Sequence, residues 1–345
     1  MALAEISLTL EGADRRRAVM GRAAVVLGLL GLLVYAALLA TAWWAVVHLV
    51  PDQITLQAFG KTKVVGDVHN RIVTGIGLVA AVLPTALWVE ALVVGWERSS
   101  ARALIFNPTQ SMRTDLAVLV LGQGHVLELV GKVMMLGASM ISGLAIRDWI
   151  QARTGLAVDP SGLPLALQVV IYFYVYTFFD YWTHRLDHTR FFWPIHRYHH
   201  SAEDFCVVTS ARQHPAAVSA VFVINLPLAI LGATPSVMIF VSVVVTTVGF
   251  LIHSQLQSDW GWIGRWVIQS PLHHRLHHKL DMTHPTGHFA MAPIWDRLFG
   301  TWYGGAKRDL VIGVSQPYRH GFWIVPDLLR DYWHFWSGFV IKRTD

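Results

Sequence analysis

Residues 184–200 read HRLDHTRFFWPIHRYHH, with histidines at His184, His188, His196, His199 and His200 spaced as H-x3-H and then H-x2-H-H. On an α-helix, positions i, i+3 and i+4 lie on one side. The spacing therefore predicts that His184 and His188 project together, and that His196, His199 and His200 do the same. A second triad, His274, His277 and His278, stands in SPLHHRLHHKLD at 270–281. Imidazole is the commonest metal-binding side chain near neutral pH and suits iron, zinc and copper. A tetrahedral zinc takes at most four protein ligands, so eight to ten imidazoles are too many for one such ion. Two metals, each with a position left open, fit the count.

The bland reading of each histidine is a satisfied polar group or a surface residue, and a lone H-x3-H arises often by chance. Two H-x2-H-H triads and an H-x3-H, all at the ends of apolar segments, are harder to explain that way. Of 18 histidines in the 345-residue chain, 13 fall between His184 and His288.

The rest of the composition points to a membrane. Hydrophobic residues make up 54% and charged residues 14%, against about a quarter charged in soluble domains, and the mean hydropathy is +0.45. A net charge of +5 could suit nucleic acid. The basic residues flank apolar runs instead of forming a stripe, however, so topology and anionic headgroups explain them better and no nucleic-acid partner is expected. The one cysteine, Cys206, excludes an intrachain disulfide and a cysteine-ligated iron–sulfur cluster within this chain. Electrons for any redox chemistry must then come from a separate partner.

Taken in order, a polar arm over 1–20 ends in Arg15, Arg16 and Arg17, and Ala23 to Val50 reads as a retained span, too long for a signal-peptide core. Residues 51–70 read as a loop. Ile72 to Trp96 is a second span with Pro84 inside, and Leu116 to Leu144 a third, carrying Gln123, His125, Glu128 and Lys132. Polar groups of this kind face a cavity or the bundle interior. Leu163 to Trp182 is a fourth span that runs directly into His184. Pro215 to Leu231 and Val237 to Ile252 form an apolar hairpin around Gly232-Ala-Thr-Pro235. The fold expected is all-α: a polytopic membrane helical bundle of about six spans, capped by a histidine-rich helical region.

The positive-inside rule sets the arginine-rich arm in the cytoplasm. Six crossings then put loop 97–114, the histidine cap and both termini on that side. Arg185, Arg190, Arg197 and Arg212 agree with this orientation; Lys61, Lys63 and Arg71 do not. Near the end, Pro326 to Arg343 carries a helical apolar stripe of Leu329, Trp333, Trp336 and Val340. Such a stripe can lie in a membrane interface or pack on the domain.

The histidine pattern resembles the fatty acid hydroxylase/sterol desaturase superfamily of membrane non-haem di-iron oxygenases. The stretches that carry the resemblance are DYWTHRLDH (180–188), HRYHHSAEDFCVVTSARQHP (196–215), SPLHHRLHHKLD and the downstream PIWDRLFGTW (293–302). The middle one is similar to the HHSxED version of alkylglycerol monooxygenase-like members. The resemblance covers about 165–305, is specific for the superfamily, and names no substrate.

It implies metal ligation by His184, His188, His196, His199, His200, His274, His277 and His278, with His253 in FLIHSQ as a ninth ligand. It also implies a division into an amino-terminal membrane region, 1–160, and a di-iron domain, 161–345. His273 is ambiguous, outside the H-x2-H-H frame, and His214 reads as a supporting residue more than a ligand. Related members often carry Asn-Tyr/Phe-Gly ahead of the WDRLFGT stretch, where this chain has Gly287-His288-Phe289. The roles of His284 and His288 stay open. Asp296, Arg297 and Gly300 are expected to fix the fold of the tail. Asp180, Asp187, Glu203 and Asp204 are placed by sequence to orient imidazole N–H groups or to serve as solvated charges.

The resemblance implies two iron ions, a site open to zinc on purification, and a lipid substrate (fatty acyl, sterol-like or ether lipid) hydroxylated or desaturated with dioxygen. No side chain is assigned a catalytic role of its own, because the metal carries the hard step. No HPGG haem motif is present, so a separate ferredoxin, cytochrome or reductase is the expected electron donor. Two other classes compete. A haem-binding membrane cytochrome needs histidines inside facing spans, and a metal transporter needs ligands near the bilayer midplane. Here the histidines crowd at span ends. The H-E-x-x-H signature of a zinc hydrolase is absent from the sequence.

Overall fold

The computed structural model describes residues 30, 33–34, 36–37, 39–58, 61–124, 126–156, 158–280, 287–304 and 310–340. The arginine arm, the beginning of the first expected span, His125, His284 and Arg343 lie outside the described residues. Most described residues are helical, as the sequence leads one to expect. The chain groups into two compact units, a smaller one of residues 1–57, 62–77 and 105–107 and a larger one holding the rest.

The smaller unit contains helix α1 (Leu39–Leu49) and the first turns of α2 (Val68–Val94). Asp52 starts α2: its carbonyl accepts from the Val68 N–H at 3.1 Å and its carboxylate from the His69 N–H at 3.1 Å. Where a loop is expected over 51–70, two five-residue strands pair, β1 (Ile54–Ala58) and β2 (Lys61–Val65). ITLQA alternates apolar with polar residues and KTKVV is rich in β-branched residues, patterns that suit a pleated ribbon. The lysines make the same stretch look like solvated loop.

Most of α3 (Ser100–Phe106) and all of α4 (Gln110–Gly124) and α5 (Val126–Thr154) belong to the larger unit and precede the histidine region. The span expected over 116–144 falls on α4 and α5, on either side of residue 125, which lies outside the described residues. Helix α6 (Leu165–Asp187) continues past the expected span end and carries His184. Then come α7 (Trp193–His200), α8 (Ser219–Ile230), α9 (Pro235–Ile252), α10 (Gly261–Trp266), α11 (Pro271–His277), α12 (Ile294–Leu298) and α13 (Val325–Val340).

The apolar hairpin forms as expected, α8 and α9 joined at Gly232, whose φ of 86° is one that glycine adopts without strain. Thr234 caps α9 by accepting from the Val237 N–H, with Pro235 in the first turn. The hairpin packs on α6 through Tyr172, Leu228, Val237, Met238 and Val241, and the Tyr172 hydroxyl donates to the Leu231 carbonyl at 2.7 Å. Helices α5 and α8 approach so closely at Gly143 that a Cβ there would stand 2.4 Å from the Ala229 Cβ. Small residues allow this kind of contact.

Two buried carboxylates tie the helices to the cap. Glu90, near the end of α2, accepts from the Ser100 N–H, the Ser100 hydroxyl and the Gln255 N–H, each at 2.6 Å. Asp115 on α4 accepts from Arg212 Nε at 2.6 Å and from the Thr209 hydroxyl at 2.7 Å. Both members of the Asp115–Arg212 pair are fully buried.

Among the described residues one helix, Pro235–Ile252, is long and apolar enough to cross a membrane, with a mean hydropathy of 2.2. Leu39–Leu49, Ala81–Val94 and Pro215–Ile230 are apolar but shorter. Of the six expected spans, length and apolarity thus support one outright among the described residues. Charged residues inside the long helices lower their apolarity: Glu90 in α2, Arg147 and Asp148 in α5, Asp180 and Arg185 in α6.

Candidate metal centre

The nine expected ligands converge from four helix ends. His184 lies in the last turn of α6 and His188 is its C-cap. His196, His199 and His200 lie in the last five residues of the eight-residue α7. His253 is the C-cap of α9, His274 and His277 lie on α11, and His278 is its C-cap. A helix carboxyl terminus carries roughly half a negative charge, so four of them meeting at one place favour a cation.

They form two adjoining groups. His184, His188, His196, His200 and His277 make one, and His199, His253, His274 and His278 the other, with the ligand nitrogens of each group within 4.8 Å of one another. Each triad expected to project together is divided between the groups. Successive residues turn by about 100°, so i+3 and i+4 lie on opposite sides of i and about 100° apart. The i,i+4 pair His196/His200 faces the first group while His199 faces the second. On α11 the pair His274/His278 faces the second group and His277 the first. The groups touch where the rings of His200 and His278 stack at 4.1 Å.

Carbonyl oxygens can only accept, and this fixes which ring nitrogen carries the proton in five of the nine. The Nδ1–H of His184 donates to the Phe289 carbonyl (2.7 Å), that of His277 to Gly287 (2.9 Å), that of His253 to Gly249 (2.7 Å) and that of His199 to Arg212 (3.1 Å). The fifth donor is His274, whose Nδ1–H meets the side-chain oxygen of Gln269 at 2.9 Å. The Gln269 amide is itself oriented, because its Nε2 donates to the His288 carbonyl at 2.7 Å.

The opposite nitrogens of these five, Nε2, then carry bare lone pairs. In the second group His253 Nε2 lies 2.8 Å from His274 Nε2 and 3.3 Å from His199 Nε2. In the first, His196 Nε2 lies 3.1 Å from the Nε2 atoms of both His184 and His200. Bonds of about 2.0–2.1 Å to one metal would set neighbouring nitrogens roughly 3.0–3.4 Å apart. His188 Nε2, His277 Nε2 and both nitrogens of His278 are buried with no hydrogen-bond partner, an arrangement that ordinarily demands an explanation.

Burial, reinforced by the neighbouring imidazoles, holds His188, His196, His199, His200, His274, His277 and His278 well below the usual histidine range. Burial also brings His184 and His253 down to about 4. The rings are therefore neutral at pH 7, the form that binds a metal. On donor set, spacing and electrostatics the residues fit two nitrogen-ligated metal ions.

The remaining candidates fall elsewhere. Asp187 Oδ2 lies 3.8 Å from His196 Nδ1, and Asp180 lines the cavity beside the groups. Glu203 pairs with His320 at 3.2 Å and Asp204 accepts from the Thr109 hydroxyl at 2.6 Å, so neither meets a ligand ring. Asp296 accepts from the N–H groups of Phe289 and Ala290 and from the Thr301 hydroxyl. It thereby shapes the loop whose carbonyls orient His184 and His277. Arg297 lies over the rings of Trp266 and Trp302, and Gly300 takes a φ of 72°. His273 bonds to the Ser270 hydroxyl at 2.7 Å and stacks on His288, which packs against Trp302 and Tyr303. Both lie outside the two groups. His214 donates from Nε2 to the Leu328 carbonyl at 3.0 Å and accepts from the Ala216 N–H.

Beside both groups lies a cavity of about 320 Å³. One face of α6, with Tyr176, Asp180 and Thr183, forms one wall; Ala220 and Ile224 of α8 and Gly249 of α9 form the others. His184, His196, His199, His253 and His274 border it.

Residues 169–301, which hold this helical, histidine-rich region, are similar to the fatty acid hydroxylase family, whose model they match. Among curated relatives, the ornithine lipid hydroxylase OlsE of Rhizobium tropici is 30% identical over 169 residues, 47% of this chain and 50% of that protein. Alkylglycerol monooxygenase of Xenopus tropicalis is 31% identical over 139 residues, and its Homo sapiens counterpart 30% over 139 residues. Each of those matches covers 40% of this chain and 30% or 31% of the relative. The chain thus spans half or less of the length of these relatives. By their names all three are oxidoreductases. No solved structure matches the chain.

Proposed function

We propose that the chain is a membrane-bound lipid oxygenase in which the nine histidines hold two iron ions. The observation that carries this reading is the pair of groups of five and four neutral histidines bordering a partly open cavity. Iron there would supply dioxygen activation and removal of hydrogen from an unactivated C–H bond, with electrons from a separate ferredoxin, cytochrome or reductase.

The protein's own part is to place and shield the reacting carbon. The cavity volume is at the small end of ligand pockets, roughly 300–1,000 Å³, so it admits a segment of an acyl, alkyl or sterol-like skeleton instead of a whole lipid. Tyr176, Ala220, Ile224 and Gly249 exclude water and align that segment, while Asp180 and Thr183 offer a polar edge near the histidines. Hydroxylation of an acyl or ether lipid is supported by the relatives' names; desaturation uses the same oxidant and stays within the proposal. The hairpin α8–α9 and the other apolar helices would seat the cavity at the bilayer, within a six-span topology that sets the histidine region and both termini on the cytoplasmic side. Residues 161–345 would form the di-iron domain and 1–160 the membrane region before it.

Lipids from cells expressing the chain, its His199→Ala and His277→Ala variants, or neither test the reading. One lipid species shifted by one oxygen or two hydrogens should appear with the unaltered chain only. The same species made by either variant at normal expression would remove the metal assignment.

A further inference from the structure

We propose that the outer face of α13, together with Phe322 and Trp323 just ahead of it, lies in the headgroup layer of a lipid bilayer. Its level is that at which the hairpin α8–α9 enters the membrane. The inference rests on the reading of that hairpin as a membrane segment.

Helix α13 has two unlike faces, and buried contacts fix which one points outward. Asp331 is fully buried and accepts from Arg197 Nε at 3.1 Å, from Arg197 Nη2 at 2.5 Å and from the Tyr318 hydroxyl at 2.6 Å. Asp327, also buried, accepts from the Arg319 N–H at 2.9 Å. Leu328 packs with Tyr198, Ala117 and Ile324. Two residues along a helix is a rotation of about 200°, so anchoring Asp331 inward turns Trp333 outward. The outward residues are large and apolar: Trp333 is 69% exposed, Leu329 63%, and Trp323 and Phe322 71% and 64%. Tyr332 is about half exposed.

The chemistry of this face identifies what covers it. Helix α9, which is apolar enough to cross a bilayer, is mostly aliphatic and contains neither tryptophan nor tyrosine. The outward face of α13 is built of Trp333, Trp336 and Tyr332 with Leu329 and Val325, and Phe322 and Trp323 stand just ahead of it. Tryptophan and tyrosine concentrate where hydrocarbon meets headgroups, because each joins an apolar body to a polar tip. The exposed side chain of Arg319 at the approach to the helix suits anionic headgroups.

Position supports the same occupant. The Leu328 carbonyl accepts from His214 Nε2 at 3.0 Å, and the Tyr332 ring lies parallel to the His214 ring, 6° from coplanar, at 6.4 Å. His214 immediately precedes Pro215, where the apolar segment Pro215–Ile230 begins. The aromatic helix is thus fastened to the foot of the hairpin, the level of an interface. His214 also borders the cavity, so the same contact would hold the cavity at a set depth.

The one cysteine, Cys206, is buried, so an introduced surface cysteine can be spin-labelled selectively. The full chain carrying Trp333→Cys, Leu329→Cys, Ser315→Cys or Val223→Cys is labelled and reconstituted in vesicles of phosphatidylcholine and phosphatidylglycerol. Relaxation by oxygen and by a water-soluble nickel chelate is then compared. Labels at 333 and 329 should meet oxygen severalfold more than the chelate, at a shallow depth, with 223 deeper and 315 in water. Labels at 333 and 329 as open to the chelate as 315 would overturn the inference, because the face would be wet. Protection from both reagents would overturn it in favour of contact with a second copy or another protein. A wet label at 223 would instead sink the hairpin's membrane reading, independently of what 333 reports.

Discussion

Asp115→Asn tests how the site is held, since it changes one buried charge without changing shape. In the native protein Arg212 and Asp115 are both fully buried. The Arg212 guanidinium donates to Asp115 at 2.6 Å, to the Ser201 hydroxyl at 3.2 Å, and to the Ser111 carbonyl and hydroxyl at 2.6 and 2.9 Å. Asparagine keeps an acceptor for Nε but leaves the guanidinium charge uncompensated. Breaking a buried pair from one side costs about 3–5 kcal/mol, while replacing both partners costs far less. Asp115→Asn should therefore lower the unfolding free energy in detergent by about 3–5 kcal/mol. The double variant Asp115→Asn/Arg212→Gln should recover about 2 kcal/mol or more of the summed single losses, as contacting pairs do in mutant cycles. Because the Arg212 carbonyl accepts from His199, the single variant should also weaken metal binding in the second histidine group before the first. The measurement is a double-mutant cycle of denaturant unfolding with a metal count at each corner. A single variant within 1 kcal/mol of the native chain, or strictly additive losses, would refute the reasoning.

Three further outcomes follow from individual contacts. Gln269→Leu removes the one side-chain acceptor that orients His274, so one of two metal equivalents should bind about 10–100-fold more weakly. Gln269→Glu should restore it, and unchanged ferrous titration curves would contradict this. Gly143→Ala drives a Cβ into Ala229 and should cost about 1–3 kcal/mol, largely relieved by Ala229→Gly; thermal unfolding of the pair reads it. His288 is held at about 3 by burial, below its unfolded value of about 6.5. The unfolded chain then binds more protons between those values, so His288 makes stability fall as pH drops through 6.5 toward 3. His288→Asn, which tolerates the positive φ of 61°, should remove about 2 kcal/mol of the loss between pH 6.5 and 5; an unchanged pH slope would contradict it.

What the sequence disclosed was local. The H-x3-H and H-x2-H-H spacings brought eight of the nine clustered histidines forward because i,i+4 geometry is written in adjacent residues, and the resemblance added His253. The α8–α9 hairpin was visible because an unbroken apolar run bounded by Gly232 and Pro235 has no other use. The partition of each triad was hidden, since it depends on how α7 and α11 face each other. The groups that orient the rings were hidden too. Four are backbone carbonyls, of Arg212, Gly249, Gly287 and Phe289, and a carbonyl has no letter in the sequence. The fifth, Gln269, stands five residues before His274 and just outside the motif. The carboxylates in HHSAED drew attention by proximity, yet Glu203 and Asp204 turn away to His320 and Thr109. Span number was less legible for a related reason: apolar runs were visible, but Glu90, Arg147 and Asp180 place charges inside the long helices, so composition marks one clear span among the described residues.

The central claim is that these histidines hold two metals and that the working metal is iron. Nitrogen sites generally prefer zinc and copper to ferrous iron, so the metal found on purification does not decide the chemistry. The decisive measurement reconstitutes the protein anaerobically with ferrous iron or with zinc, then adds lipid, reductant and dioxygen. Near two metals per chain should bind in both cases. Oxygen-dependent product should form with iron alone, because zinc has no redox chemistry. Equal turnover with zinc, or turnover without oxygen, would contradict the account.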